Sequence, residues 1–342
     1  MQMVLSEPVL DLAGVTRHIE IWVGDLTDLR SGGADLLVVS AFPDDYWPRP
    51  GTVVHALGKL GIDVQAEALR KAHDWRASWH CWVSQPLVDC HEIGRLLCFE
   101  HGSQQPAEKV GDVMRAASEL VLGMGEGGEL DVFRMPLLAT GDQRASKRSM
   151  LEAILRQAFL HLLAGLPVRR LQLVLWDQDP DNLRLLVHAG RVVELAKLEW
   201  VSTFGSTKQQ YDFFISYRRK DLGFAQSLMA AIQRQKAGAS FFLDQERIAP
   251  GAFWKPDLLR AVASSQRVLC VITDSYSESV ECMDEFHAAL CYGVSRAGFL
   301  KPLMRLDQMS LEQLPATIRR VNCIDARTPP LGIDSIAEAV LV

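Results

Sequence analysis

The chain has 342 residues, which is long for one domain and sufficient for two. With 48% hydrophobic and 23% charged residues, its composition is that of an ordinary globular protein with large cores. The net charge is −6, and residues 207–342 carry 16 basic against 15 acidic side chains, so the remainder is acidic. Neither part has the basic excess that favours duplex nucleic acid as a partner.

The length of the apolar runs and the spacing of the cysteines narrow the class of protein further. No stretch approaches the roughly 18 consecutive apolar residues of a membrane helix, and the first residues lack the basic start and apolar run of a signal peptide. The seven cysteines are scattered, without a CxxC pair. This pattern favours buried thiols over disulfides or a zinc site. We therefore expect a cytoplasmic protein with no membrane contact and no metal.

The first half of the sequence alternates strands with helices. Strands are predicted at 18–23, 34–40, 79–86, 95–101, 132–138 and 171–176, and helices at 51–59, 106–123, 146–163 and 180–198. Strands 79–86 and 95–101 could pair as a hairpin. The alternation predicts an α/β domain with a mixed, largely parallel sheet that is covered on both faces.

A short, small and polar segment at 202–208 separates two predicted domains, residues 1–201 and 207–342. After it, strands are predicted at 211–217, 240–243, 267–273, 299–306 and 322–325, and helices at 222–235, 254–264, 282–292, 311–319 and from 333 onward. Five strands and five helices in strict alternation predict a doubly wound, flavodoxin-like parallel sheet.

Four segments of the second domain carry a family resemblance. Segment 211–219 (YDFFISYRR) resembles the first strand and loop of TIR domains, and 242–251 (FLDQERIAPG) resembles their second strand and BB loop. Segment 268–277 (VLCVITDSYS) is similar to their third strand, and 282–285 (CMDE) is similar to the Cys-x-x-Glu after it. The four motifs occur in the family's order and spacing. The C-terminal domain is identified as a TIR domain on this resemblance.

The resemblance implies an activity and its residues. Many TIR domains cleave NAD⁺, while others are adaptors that only bind other TIR domains. The family's catalytic glutamate falls on Glu285, and the aromatic position that faces nicotinamide falls on Phe253 or Trp254. The polar loop after the first strand supplies Ser216, Tyr217 and Arg218. These residues are expected to bind the substrate, NAD⁺, and no separate cofactor is implied.

Chemistry favours a single carboxylate for this reaction. Glycosidases generally need two carboxyl groups because their leaving group must be protonated, whereas nicotinamide leaves NAD⁺ as a neutral molecule. One negative charge near the developing ribose cation is enough, and Glu285 can supply it. Where the family usually has Trp, this chain has Glu281, so packing at that corner must come from elsewhere.

Purely structural interpretations of the same residues stay open. A glutamate early in a helix is commonly a partner of the helix dipole. Phe253 and Trp254 could simply cover an edge, and the run 218–220 could be a solvated basic cluster. Only the order of the four motifs favours the catalytic interpretation.

Three segments of the first domain carry a second family resemblance. Segments 19–27 (IEIWVGDLT) and 34–41 (ADLLVVSA) resemble the start of macro domains, and 135–142 (MPLLATGD) is similar to their second glycine-containing loop. The macro-domain family binds ADP-ribose and related nucleotides. The chain departs from the family at 40–42 (SAF), where an Asn is usual, and at 50–53 (PGTV), where glycines are usual. These departures favour a nucleotide pocket without hydrolase activity.

The macro-like resemblance also implies residues that sense a ligand. Asp25 could contact an adenine amino group, and Thr140 and Gly141 could approach phosphates through their backbone N–H groups. The alternative is that both segments are only turns. The three tryptophans Trp75, Trp79 and Trp82 fit buried core better than a stacking platform.

Three functions follow from the two resemblances. The first is an NAD⁺ glycohydrolase, or ADP-ribosyl cyclase, that acts in bacterial antiviral defence. A nucleotide at the N-terminal domain would activate it by driving TIR domains into a homo-oligomer or filament. The second is a non-enzymatic TIR adaptor, and the third makes the first domain an ADP-ribose-processing enzyme. The glutamate at 285 favours the first, and the missing Asn argues against the third.

Overall fold

The computed structural model describes residues 1–88, 90, 92–102, 105–125, 128–204, 209–243, 256–293, 296–327 and 332–342, with the side chains of 200–204, 256 and 257 left aside. These residues form two compact units. The first contains Met1–Glu199, and the second contains the described residues from Trp200 to Val342.

The first unit is built on a mixed sheet. Its strands are β1 (Gln2–Leu10), β2 (Thr16–Val23), β3 (Ala34–Ala41), β4 (Lys71–Trp75), β5 (Cys81–Ser84), β6 (Ile93–Glu100), β7 (Leu130–Pro136) and β8 (Val168–Leu175). Within the described chain the strand order is β1-β2-β8-β7-β3-β6-β5-β4. The pairs β1/β2, β4/β5 and β5/β6 are antiparallel, and the central pairs are parallel. The predicted mixed sheet is confirmed, including the hairpin of β5 with β6.

The helices of this unit differ from prediction in several places, because the short helices Val64–Leu69 and Arg76–Trp79 were not predicted and two predicted helices have other bounds. They are α1 (Val53–Lys59), α2 (Val64–Leu69), α3 (Arg76–Trp79), α4 (Pro106–Lys109), α5 (Gly111–Gly123), α6 (Lys147–Leu163) and α7 (Pro180–Phe204). The helix predicted at 106–123 is divided at Val110, and α7 continues to Phe204, beyond its predicted end at 198. The first residues of the predicted boundary segment 202–208 therefore belong to a helix, and 205–208 lie outside the described residues.

The core of the first unit lies on both faces of its central strands. The run Leu36–Val39 in β3 is at most 1% exposed, as expected for a parallel strand covered on both sides. Trp79 and Trp82 are buried, which confirms their prediction as core, whereas Trp75 is partly buried and stacks on His73. The thiols of Cys81 and Cys98 are also fully buried, and this burial raises the pKa of both well above the usual range.

The second unit is a doubly wound parallel sheet, as predicted. Its strands are β9 (Tyr211–Ser216), β10 (Phe241–Leu243), β11 (Ser265–Ile272), β12 (Leu300–Met304) and β13 (Ile324–Asp325). Its helices are α8 (Leu222–Gln235), α9 (Pro256–Ala263), α10 (Val280–Gly293), α11 (Ala316–Arg319) and α12 (Ile333–Leu341). Among the described residues the strand order is β10-β9-β11-β12-β13, and all pairs are parallel.

One predicted helix of the second unit is interrupted. Residues 311–319 form a 3₁₀ turn at Leu311–Gln313, followed by the short α11. Pro315 stands at the N-cap of α11, where its missing N–H and its clash with the preceding turn end a continuous helix.

The strand order places a crevice at the carboxyl ends of β9 and β11. These two strands are neighbours, but the chain leaves β9 toward β10 on one side and returns to β11 on the other. Ligands of doubly wound sheets gather at such a switch point. No helix in the described ranges is long and apolar enough to cross a membrane.

Candidate functional site

A buried pair of hydroxyl groups lies at the carboxyl ends of β9 and β11. The Ser216 Oγ and the Tyr276 hydroxyl are 2.6 Å apart, and Tyr276 donates to the Cys282 carbonyl oxygen over 3.1 Å. Because the single Tyr276 proton goes to Cys282, Ser216 is the donor in the first bond. Ser216 is 1% exposed and Tyr276 is fully buried. Burial raises the pKa of Tyr276 well above its usual value, so the phenol stays neutral and holds β9 to the start of α10.

The Glu285 carboxylate lies at the same corner. It is on α10 and is 5% exposed. Burial raises the pKa of Cys270 to about 12, and the nearby negative charge of Glu285 adds to this shift. Burial also raises the pKa of Cys282 well above its usual range; Glu285 again adds to the shift, and the positive charge of Arg218 opposes it. Glu285 and Arg218 therefore both lie within electrostatic reach of Cys282.

Side-chain hydrogen bonds fix the loops around this corner. Thr273 at the end of β11 donates from Oγ1 to the Asp221 carboxylate over 2.9 Å, which joins it to the loop after β9. Asp274 accepts the backbone N–H groups of residues 307–309 over 2.9–3.1 Å. Burial acts to raise the pKa of Asp274, but these three bonds outweigh it and hold the pKa below its usual value. The loops after β9, β11 and β12 are thereby held in place.

The structure brings together some of the predicted substrate residues and separates another. Ser216 and Arg218 share the surroundings of Glu285. Tyr217 instead packs against the apolar cluster formed with α8 and α12, on the opposite face of the sheet. This follows from strand geometry, since successive side chains of β9 point to opposite faces. Phe253 and Trp254 lie outside the described residues.

Tyr276 was not singled out from the sequence. It stands in the polar run 273–277, which indicates a turn, and that run does form a 3₁₀ turn at Tyr276–Glu278. The sequence did offer one signal for Tyr276. It is a large aromatic side chain shortly after a buried strand, at a position where a small polar residue would be enough to form a turn.

The first unit holds a second candidate site. A cavity of about 500 Å³ lies at the carboxyl ends of the parallel strands β2, β3, β7 and β8. Its volume falls within the range of small-molecule sites. All three predicted ligand-sensing residues, Asp25, Thr140 and Gly141, line this one cavity.

The loop after β7 presents backbone donors in the cavity wall. Ala139 has a φ of 59°, and its backbone N–H donates to the Ser40 hydroxyl oxygen over 3.0 Å. Among the described residues, nothing accepts from the backbone N–H groups of Thr140, Gly141 and Asp142. Successive unpartnered N–H groups in such a turn form a concave site suited to an anion.

Asp25 fits both interpretations of its segment. Its Oδ1 accepts from the Thr27 backbone N–H over 2.9 Å and from the Thr27 hydroxyl over 2.7 Å, which is a turn. It also lines the cavity, together with the exposed aromatic side chains of Phe42, Trp47 and Trp176. These rings offer apolar faces for a base or sugar. Within the described part of the chain, no cluster of three His, Cys, Asp or Glu side chains is placed to hold a metal.

The chain is similar to known proteins of two kinds. Residues 213–338 match the family model described as "TIR domain". A TIR-STING receptor from C. gigas, solved with 2′,3′-cGAMP, is 20% identical with a TM-score of 0.30 and covers 38% of this chain. The present chain spans only 39% of that receptor. No curated protein matches the sequence.

Two macrodomain structures are also similar to this chain. A point mutant of an Oceanobacillus iheyensis macrodomain is 16% identical with a TM-score of 0.43, and the match covers 57% of this chain and 96% of the macrodomain. A Trypanosoma brucei macrodomain solved with ADP is 16% identical with a TM-score of 0.35, covering 55% of this chain and 71% of that one.

Proposed function

We propose that the TIR domain carried by residues 213–338 cleaves NAD⁺ at its nicotinamide–ribose bond, with Glu285 as the catalytic residue. The observation that carries this proposal is the position of the Glu285 carboxylate, 5% exposed at the carboxyl edge of the parallel sheet. A carboxylate held away from bulk water acts strongly on a nearby developing positive charge. Ser216 and Arg218 share its surroundings, so polar and cationic groups for a dinucleotide are at hand.

The chemistry requires little beyond this charge. The bond between nicotinamide and C1 of the ribose breaks, and both electrons leave with nicotinamide as a neutral molecule. Glu285 stabilises the positive charge that develops on the ribose, and Arg218 pairs with the pyrophosphate. Water then adds to C1 and loses a proton, which gives ADP-ribose; attack by an adenine nitrogen gives the cyclic product instead. Phe253 or Trp254 is proposed to hold the nicotinamide ring.

The direct test is nicotinamide release by the purified 342-residue chain incubated with NAD⁺. Glu285→Gln keeps the size of the side chain but removes its charge, and we expect turnover to fall by about 10²–10³. Glu278→Gln is the matched control because Glu278 is exposed in the turn before α10 and loses the same charge. A folded Glu285→Gln variant that keeps more than a third of wild-type turnover would rule out the assignment. A wild-type chain that releases no nicotinamide, even when assembled, would favour the adaptor function.

We further propose that a nucleotide in the cavity of the first unit switches the enzyme on. An unrestrained NAD⁺-consuming enzyme would harm its own cell, so the free chain should be nearly inactive. The cavity supports this role because its wall combines unpartnered N–H groups, the Asp25 carboxylate and exposed aromatic rings. Activation would proceed through self-association of TIR domains, since head-to-tail contacts build rings or filaments.

Assembly has a measurable signature. Activity should rise more steeply than linearly with protein concentration, and light scattering should rise with it when the activating nucleotide is present. A rate strictly proportional to concentration, with no response to any nucleotide, would contradict this regulation while leaving the assignment of Glu285 intact. A role in antiviral defence predicts that infected bacteria lose NAD⁺ when they carry the wild-type chain but not when they carry Glu285→Gln.

A further inference from the structure

An arginine lies between two carboxylates in the wall of the first-unit cavity. The Arg49 guanidinium is 2.7 Å from the Asp45 carboxylate through Nη2 and 3.8 Å from the Asp142 carboxylate through Nε. Arg49 and Asp45 belong to the loop after β3, whereas Asp142 belongs to the loop after β7. The longer ion pair therefore joins two loops of the same cavity.

Both ion pairs are weak enough to be exchanged. The side chains of Arg49, Asp45 and Asp142 are 41%, 38% and 43% exposed. Ion pairs at such exposure change an equilibrium constant by less than about fivefold. The contact with Asp142 is the weaker of the two because 3.8 Å is beyond hydrogen-bonding distance. A phosphate group binds a guanidinium through two charge-assisted hydrogen bonds and would compete well with this partner.

The negative charge of the cavity wall means that an anionic ligand needs a cation to bind, so replacement of Asp142 by the ligand as the partner of Arg49 matters for its affinity. The lining contains four carboxylates, those of Asp25, Asp45, Asp142 and Asp179. Asp179 is neutralised by Lys147 outside the lining. Asp142 belongs to the loop that carries the unpartnered N–H groups and Asp45 lines the same cavity, so both carboxylates would repel a phosphate there. The lining contains the side-chain cations of Arg49 and Lys59, and Arg49 is the one that contacts both Asp45 and Asp142.

We propose that Arg49 is the phosphate-recognising residue of this cavity and that a nucleotide phosphate takes its guanidinium from Asp142. The inference rests on the nucleotide site proposed above and adds the ligand class: a nucleoside carrying a diphosphate, whose phosphates lie between Arg49 and the N–H groups of residues 140–142. Asp142 then acts as a competitor that weakens binding. A nucleoside without phosphate gains nothing from Arg49.

The test is calorimetric titration of the full chain with ADP, AMP and adenosine. Arg49→Ala should weaken ADP binding by about 10–100-fold, the value of one or two charge-assisted hydrogen bonds, and leave adenosine unchanged. Asp142→Asn removes the competing charge at constant size and should tighten ADP binding about threefold or more. Arg148→Ala is the matched control, because Arg148 is a 70% exposed arginine that pairs with Glu152 on α6, outside the cavity lining. The salt dependence of ADP binding should shrink in Arg49→Ala only.

Two failures can be told apart. If ADP binds but Arg49→Ala and Asp142→Asn both stay within twofold of wild type, the role of Arg49 is wrong and the nucleotide site survives. If ADP, AMP and adenosine all fail to bind the wild-type chain, the nucleotide site itself is wrong and the role of Arg49 falls with it. Thermal melting of each variant checks the fold, and Arg49→Lys should restore part of the ADP affinity because it keeps the charge but not the two-pronged geometry.

Discussion

Removing one hydroxyl group from the buried corner of the second unit should be costly. Tyr276→Phe keeps the ring and its packing but deletes the group that accepts from Ser216 and donates to the Cys282 carbonyl. Both partners are buried, with Ser216 1% and Cys282 3% exposed, so water cannot replace the lost bonds. An unsatisfied buried polar group costs about 1–3 kcal/mol. The Cys282 carbonyl lies within α10 and keeps its helical hydrogen bond, so the Ser216 hydroxyl is the group left unsatisfied. We therefore expect the free energy of unfolding of the second unit to fall by about 1–3 kcal/mol.

The matched variant is Ser216→Ala, which leaves the bond from Tyr276 to Cys282 in place. It removes one hydrogen bond together with its donor and should cost about 1 kcal/mol. In the double variant the two effects should be less than additive, because the bond between Ser216 and Tyr276 can be lost only once. The structure therefore predicts the order of the three stabilities as well as their size.

Urea unfolding followed by hydrogen exchange of peptides from β9 and α10 measures the second unit separately. This matters because a chain of two compact units need not unfold in one transition. A loss below about 0.5 kcal/mol for Tyr276→Phe, or a larger loss for Ser216→Ala, would refute the hydrogen-bond assignment. Exchange in peptides of the first unit serves as the internal control and should not change.

Two further predictions concern the second unit. Phe253→Ala and Trp254→Ala should have different effects: one should raise KM or lower turnover because the nicotinamide platform is lost, and the other should reduce assembly. Steady-state kinetics measures the first effect and light scattering measures the second. If neither variant changed activity or assembly, the proposed role of this loop would be wrong. The hydrogen bond from Lys236 lowers the pKa of Asp212 from 3.8 to about 2, so its stabilisation is present above about pH 4 and is lost as pH falls toward 2. In Asp212→Asn the free energy of unfolding should depend less on pH in that window, by at most about 2 kcal/mol before solvent screening. If the variant and the wild type lost stability equally between about pH 4 and pH 2, the ion pair would contribute nothing.

The fold was predictable where burial leaves a periodic pattern. The parallel strands such as β3 are mostly apolar, and the long helices alternate with them, so both sheets could be anticipated. Strand β1 was not predicted because it lies at the sheet edge, is mostly exposed and contains Glu7 and Pro8. Its strand conformation comes from pairing with β2, which is a tertiary effect that the local sequence does not carry.

The candidate sites were predictable only where a motif names the residue. Glu285 and Asp25 were found through family resemblance, and their roles stay predictions. Arg49 could not be found in this way, because one of its partners, Asp142, belongs to a loop that is distant in sequence. Tyr217 was transferred in the same way; it packs on the other face of the sheet from Ser216, and its role in binding substrate stays a prediction.

The reactivity of the buried thiols can report when each unit of the protein unfolds. A thiol reacts as the thiolate, and burial raises the pKa of Cys81 and Cys98 in the first unit and of Cys270 and Cys282 in the second. Alkylation at neutral pH must therefore wait until the surrounding unit opens. Cys323 is only partly buried, with its pKa raised to about 11, and provides a faster reference within the same chain. Mapping which cysteine carries the label would thus time the opening of each unit separately, without a mutation or an added dye.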